Sequence, residues 1–289
     1  MHSSLHSQPI EFQVTAAGSG LTLAGLHFAG DPGRPLLALH GWLDNANSFK
    51  PLASWLSGHD LHALDWPGHG RSEHRPPRSY APFLDYLGDL LGLLTARGWA
   101  QVDLLGHSMG GAAAVLFAAT FPERVRRLVL IEAIGPLSLP VDRFLPQLRR
   151  ALEARLAFRD KRRVYATLDE PVRARMQANA LSEPVARLLM ERGTQAVTGG
   201  FQFTTDPREL LPSLSRGTDE QMLAALTQVK APTQVILAEP ATSYLSGPPA
   251  DARLAALRPT ELHRVPGNHH LHMEHPEVVG PLVSRFLRV

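Results

Sequence analysis

The segment Gly106-His107-Ser108-Met109-Gly110 constrains this chain more than any other. It lies between an apolar run, Val102 to Leu105, and an Ala-rich stretch, Ala112 to Ala114. It therefore reads as a turn from a strand into a helix, the context that gives G-x-S-x-G its meaning. Such a turn is too tight for side chains at Gly106 and Gly110. It lifts the serine hydroxyl above the sheet and sets N–H groups of a helix N-terminus beneath it, where they favour developing negative charge. Ser108 is thus a candidate nucleophile. The alternative is a glycine-rich turn with an incidental serine.

The rest of the chain supplies a sheet to carry that turn. Ile10 to Val14 and Leu21 to Phe28 alternate as strands around Gly18 and Gly20 and predict an antiparallel hairpin. Short apolar runs follow at Leu36–Leu39, Leu61–Leu64, Val102–Leu105 and Val125–Ile131, separated by helical stretches at Phe49–Leu56, Tyr80–Arg97 and Met109–Phe121. Alternating strands and helices predict a parallel sheet covered on both faces, with its chemistry beyond the carboxyl ends of the strands.

From 136 to 226 the rhythm breaks into a proline-punctuated region with helical periodicity and no convincing parallel strand. Leu145, Leu148, Leu152 and Leu156 predict one apolar helix face there. The pattern resumes with a strand at Thr233–Ala238, a helix at Pro248–Leu257, a strand at Leu262–Val265 and a closing helix at Pro276–Leu287. The expected organisation is a core of residues 10–135 and 227–289 with a helical cap, 136–226, inserted between its halves.

A serine hydroxyl needs a base within reach. The loop Gly267-Asn268-His269-His270-Leu271-His272 follows the last strand, and the histidine nearest the strand exit, His269, is the candidate; His270 and His272 are expected to pack locally. The base in turn needs an acid to hold its tautomer. After the strand Thr233–Ala238, the position where an Asp would stand is Ala241. Glu132, closing the apolar run Val125–Ile131, is the leading candidate instead, with Glu239 and Asp251 as alternatives. For the oxyanion, backbone N–H groups are expected from Met109 and from Trp42 in His40-Gly41-Trp42, with Trp42 also walling the pocket. Asp65 and Arg71 are expected in structural hydrogen bonds, and Asp44, Asn45 and Asn47 as caps of the next helix.

The motifs His40-Gly41-Trp42, Asp65-Trp66-Pro67-Gly68-His69-Gly70-Arg71-Ser72 and Gly106-His107-Ser108-Met109-Gly110-Gly111, in that order, resemble the α/β-hydrolase fold superfamily. His40-Gly41-Trp42-Leu43-Asp44-Asn45-Ala46 and Gly267-Asn268-His269 are similar to its serine hydrolase-like group. The resemblance covers about residues 10–289. It implies an eight-stranded, mostly parallel sheet with a helical cap after strand six. Its motifs are specific for fold and nucleophile but not for substrate; joined to the residues above, they lead to the expectation of a serine hydrolase acting on a small ester or related acyl substrate through a Ser-His-Glu triad and an acyl-enzyme. Haloalkane dehalogenases of this fold can carry a Glu after strand six, which favours Glu132; they use Asp where Ser108 stands, so this chain does not resemble them in chemistry. The alternatives are a non-catalytic binding protein on the same scaffold, for which Ala241 speaks, and perhydrolysis or C–C cleavage at the same site.

Composition excludes further chemistry. The 289 residues contain no cysteine, which removes disulfides, thiolate metal sites and a cysteine nucleophile. His270-Leu271-His272-Met273-Glu274-His275 resembles the H-x-H-x-D-H pattern of dimetal hydrolases. However, the 14 residues after His275 contain no His, Asp or Cys, so no metal or cofactor is expected. A net charge of +2 gives no reason to expect nucleic acid. The polar start, Met1 to Pro9, lacks a secretory h-region and no apolar stretch is long enough to span a membrane, so a cytoplasmic protein is expected. The seven Arg and Lys of Arg149–Arg163 predict a solvated helix face, or, as a second reading, an attraction to anionic substrates or membrane surfaces.

Overall fold

A computed structural model of the chain describes residues 8–76 and 83–288. Strands β1 (Ile10–Thr15) and β2 (Thr22–Phe28) form the opening antiparallel hairpin. Gly18 and Gly20 hold φ of +87° and +70° in its turn, a region that favours glycine. The core strands follow: β3 (Pro35–Leu39), β4 (Asp60–Leu64), β5 (Val102–His107), β6 (Val125–Ile131), β9 (Thr233–Glu239) and β10 (Glu261–Pro266). The eight strands lie in the order β1-β2-β4-β3-β5-β6-β9-β10. Only the β1–β2 and β2–β4 pairs are antiparallel. The other five are parallel.

Continuous apolar runs suit strands covered on both faces, and every residue of β3 and β5 is buried. One face packs against α2 (Asp85–Ala96), α3 (Met109–Thr120), α7 (Asp219–Leu226) and α8 (Gly247–Leu257), through Leu90, Phe117, Leu226 and Leu257 among others. The opposite face packs against α1 (Lys50–Ala53) and α10 (Pro276–Arg288), through Leu52, Val279, Val283 and Phe286. Each such fully buried side chain contributes about 1.5–3 kcal/mol before entropy is counted. The helix expected from Tyr80 starts, among the described residues, at Asp85; residues 77–82 and the polar start up to residue 7 lie outside them.

Between β6 and β9 stand α4 (Phe144–Ala157), α5 (Asp169–Asn179), α6 (Glu183–Gly193), the antiparallel pair β7 (Thr194–Val197) and β8 (Gly200–Phe203), and α7. The insert is therefore not purely helical. Gly199 takes φ +89° in the β7–β8 turn, so Thr198-Gly199 was the hairpin signal that periodicity passed over. A second expectation also fails. Leu145, Leu152 and Leu156 of α4 do not face the core; they are 70%, 53% and 83% exposed. The helix instead buries its small residue Ala151, half-burying Gln147, Leu148 and Ala154 beside it. Spacing marked a stripe correctly, but three of its four leucines are exposed. No helix there is long and apolar enough to cross a membrane.

Candidate active site

The turn from β5 into α3 is built on contact distances that only hydrogen atoms permit. A Cβ on Gly106 would lie 2.4 Å from the Cα of Gly111, and one on Gly110 would lie 2.0 Å from the carbonyl oxygen of Leu39. Ser108 between them is held at φ 50°, ψ −115°, a strained conformation for a residue with a side chain. Its N–H donates to the Ile131 carbonyl at 2.9 Å, which ties the turn to the end of β6.

Three loops meet above that turn. The Ser108 hydroxyl lies 2.9 Å from Nε2 of His269, and Nδ1 of His269 lies 3.0 Å from Oε2 of Glu132. Glu132 is fully buried and follows β6 at φ +52°. Its Oε1 accepts the Ala238 N–H at 2.6 Å, and its Oε2 also accepts the Thr242 hydroxyl at 3.1 Å. An ionised carboxylate can only accept, so it places the imidazole hydrogen on Nδ1 and leaves Nε2 free to accept from Ser108. Glu239 and Asp251 are both exposed, and neither is brought to His269. Thr242, one residue beyond Ala241, contributes a hydroxyl to Glu132 from the strand end where an acid was sought.

Met109 opens α3, so its N–H has no intrahelical acceptor. The close approach of Gly110 to Leu39 and to the His40 carbonyl brings the His40-Gly41-Trp42 loop beside the same helix start. Among the described residues the Trp42 N–H has no acceptor. Its indole is half-exposed and donates to the Glu209 carbonyl of the inserted segment at 3.0 Å. His40 fastens this loop: its Nδ1–H donates to the Gly41 carbonyl at 2.7 Å, and its Nε2 accepts the Trp66 N–H at 3.0 Å. Burial pushes His40 down to about 4, which matches a neutral ring in this bracket.

Asp65 is a buried hub that accepts from the N–H groups of Ala46 and Arg71 and from the Arg192 guanidinium. Of the three expected caps only Asn45 is one, accepting the Asn47 N–H at 3.1 Å. Asn47 instead donates to the Leu188 carbonyl, and Asp44 pairs with Arg175 of α5. Both are drawn away from capping by the insert, which local sequence cannot reveal. His270 and His272 are buried, the latter with Nε2 at 2.7 Å from the Ser48 hydroxyl.

Sequence reasoning passed over Tyr244, whose hydroxyl lies 3.3 Å from each ring nitrogen of His269. It lies in a short turn after β9, a place with no motif to mark it. A separate cleft of about 570 Å³, lined by Arg71, His74, Arg162, Arg192 and Gln195 among others, contains none of Ser108, His269 or Glu132.

Residues 34–276 match the family model described as alpha/beta hydrolase fold. A serine hydrolase-like protein of Danio rerio is 33% identical over 267 residues, covering 89% of this chain and 82% of the relative. A 2-(acetamidomethylene)succinate hydrolase of Mesorhizobium japonicum is 29% identical over 264 residues, 87% of each. Among solved structures, a hypothetical protein from Pseudomonas aeruginosa PAO1 is 37% identical with a TM-score of 0.89, over 98% of this chain and 100% of that one.

Proposed function

The chain belongs to the alpha/beta hydrolase fold family, within it to the serine hydrolase-like proteins, and on that premise we propose that it is a serine hydrolase of small esters or related acyl compounds. Membership supports hydrolase activity in general. The finer reading is supported above all by one observation, the run of hydrogen bonds from the Ser108 hydroxyl through His269 to Glu132.

In this reading Ser108 Oγ attacks the acyl carbon while His269 Nε2 takes its proton. Glu132 holds the ring and stabilises the imidazolium. The Met109 and Trp42 N–H groups receive the oxyanion. The proton then passes from His269 to the leaving group, and water, activated by the same ring, resolves the acyl-enzyme. Tyr244 is close enough to orient His269 or a bound substrate oxygen. The inserted segment, 136–226, acts as the cap, and Trp42 is one of its contacts with the oxyanion loop.

The test is labelling by a fluorophosphonate probe. The intact chain should label and Ser108→Ala should not, with His269→Ala strongly slowed. A folded intact chain that does not label would overturn the reading.

A further inference from the structure

Two groups of three His and Asp side chains converge among the described residues: His27, Asp60 and His62, and Asp44, His107 and His270. The first is closed by its own hydrogen bonds, of 2.6 Å and 2.8 Å, to the two oxygens of Asp60. The second is not closed. Oδ2 of Asp44 lies 3.5 Å from Nδ1 of His107 and 3.4 Å from Nε2 of His270, beyond the usual N–H···O range of about 2.7–3.2 Å. All three side chains are buried, and among the described residues Asp44 Oδ2 and His107 Nδ1 have no hydrogen-bond partner.

The protons sharpen the conflict. Nε2 of His107 lies 2.8 Å from the carbonyl oxygen of His269. A carbonyl only accepts, so Nε2 carries the hydrogen. With that hydrogen on Nε2, a neutral ring presents a bare lone pair at Nδ1. The Arg175 guanidinium on the other oxygen of Asp44 favours the ionised carboxylate. A lone pair and a carboxylate therefore face each other in a buried place, an arrangement that calls for a cation between them.

We propose that Asp44 Oδ2, His107 Nδ1 and His270 Nε2 bind a divalent first-row metal ion of the zinc type. Donor atoms around a tetrahedral zinc with bonds of about 2.0–2.1 Å lie about 3.3 Å apart; the two distances from Asp44 Oδ2 are 3.5 Å and 3.4 Å, and all three donors lie within 4.8 Å of one another. Two imidazoles and a carboxylate are a ligand set that zinc accepts. Two of the three donors have outer contacts of the kind found at metal sites: the second nitrogen of His107 donates to a backbone carbonyl, and the other oxygen of Asp44 is held by Arg175, while Nδ1 of His270 has no partner among the described residues. Room on one side comes from Gly41, whose absent Cβ would lie 2.8 Å from His107 Nδ1 and 3.2 Å from Asp44 Oδ2. The sequence reading set metal aside because no ligands follow His275; the partners of His270 come from upstream loops instead. The ion fastens the loop after β3, the β5–α3 turn and the loop of His269, and the proposal is independent of the chemistry at Ser108.

The untagged chain is stripped with a chelator, loaded with zinc or cobalt(II) and exchanged into metal-free buffer. The expected result is one ion per chain by elemental analysis, visible d–d bands of bound cobalt(II), and a higher Tm than the stripped chain. Asp44→Asn and His270→Gln should each weaken zinc binding by about 100-fold or more, while His62→Gln leaves it unchanged. If those two variants fail to fold, Gly41→Ala keeps all three donors and should still lose the ion. Uptake below about a tenth of an ion per chain would overturn the proposal in favour of a protonated His107. Uptake lost in His62→Gln but kept in His270→Gln would overturn it too, by moving the metal to the other cluster.

Discussion

Glu132 decides which nitrogen of His269 carries the hydrogen, because its Oε2 lies on the Nδ1 side of the ring and can only accept. Glu132→Gln can offer its amide N–H to that nitrogen and stabilise the wrong tautomer. It should lower kcat/KM on an activated ester by about 10³–10⁴, whereas Glu239→Gln should stay within about twofold because that side chain is exposed. A comparable loss at Glu239 would reassign the acid. A second single-residue effect belongs to Glu209, whose side chain accepts the Tyr86 hydroxyl at 2.9 Å. Burial raises its carboxyl from 4.5 to about 7, helped by Asp206 and opposed by Tyr86, Arg75 and Arg208. A raised carboxyl favours the folded state when protonated. That contribution is full below about pH 4.5 and is lost as pH climbs through about 7, a change of about 3 kcal/mol at most. Urea unfolding of Glu209→Gln, neutral throughout, should lack this decline. Ser108, His269 and Glu132 were legible because each sits at a strand exit where motif and strand end coincide. Tyr244, Thr242 and Arg175 were not, since only the fold brings them near.

At the scale of elements, the approach of α3 to β3 shows what the glycine spacing does. Gly110 is in ordinary helical backbone, so its need for glycine is one of contact, not of φ. Gly110→Ala forces α3 and the Leu39 carbonyl apart. It should cost about 1–3 kcal/mol of stability and move Met109 away from the loop of Trp42. The check is denaturant unfolding beside fluorophosphonate labelling: labelling should fall more than the folded fraction does. If both fall together, the contact is only structural. Elements with a strong period and a clear stop were readable from sequence, as the match of β3, β6 and α3 to their apolar runs shows. The pair β7–β8 was missed because four-residue strands offer too short a pattern. For α4 the period was right and the environment wrong, because an apolar stripe records spacing and not what lies against it.

The whole molecule depends on how the inserted segment is held to the sheet. Arg192 of α6 reaches through to Asp65 at the end of β4 and to Glu11 of β1, and it is 3% exposed while Asp65 is 0% exposed. Arg175 holds Asp44, and the side-chain amides of Asn45 and Asn47 donate to the carbonyls of Leu189 and Leu188. These contacts are polar and shielded from water, so separating insert from core breaks several charge-assisted hydrogen bonds at once. Insert and core should therefore unfold together. The chain allows this to be seen, because its four tryptophans, Trp42, Trp55, Trp66 and Trp99, all lie outside residues 136–226. Read in a Trp42→Phe background, because the Trp42 indole touches Glu209 of that segment, fluorescence follows the core, while far-ultraviolet circular dichroism also follows α4 to α7. In urea the two signals should coincide while Arg192 is present. Arg192→Ala leaves Asp65 buried without its guanidinium and should cost about 3–5 kcal/mol. It should also separate the signals, with part of the helical signal lost before the tryptophans are exposed. Coincident curves in Arg192→Ala would mean that the remaining contacts, among them those of Asp44, Asn45, Asn47 and Trp42, suffice to hold the insert. Separated curves already with Arg192 present would mean that residues 136–226 form a unit with its own stability.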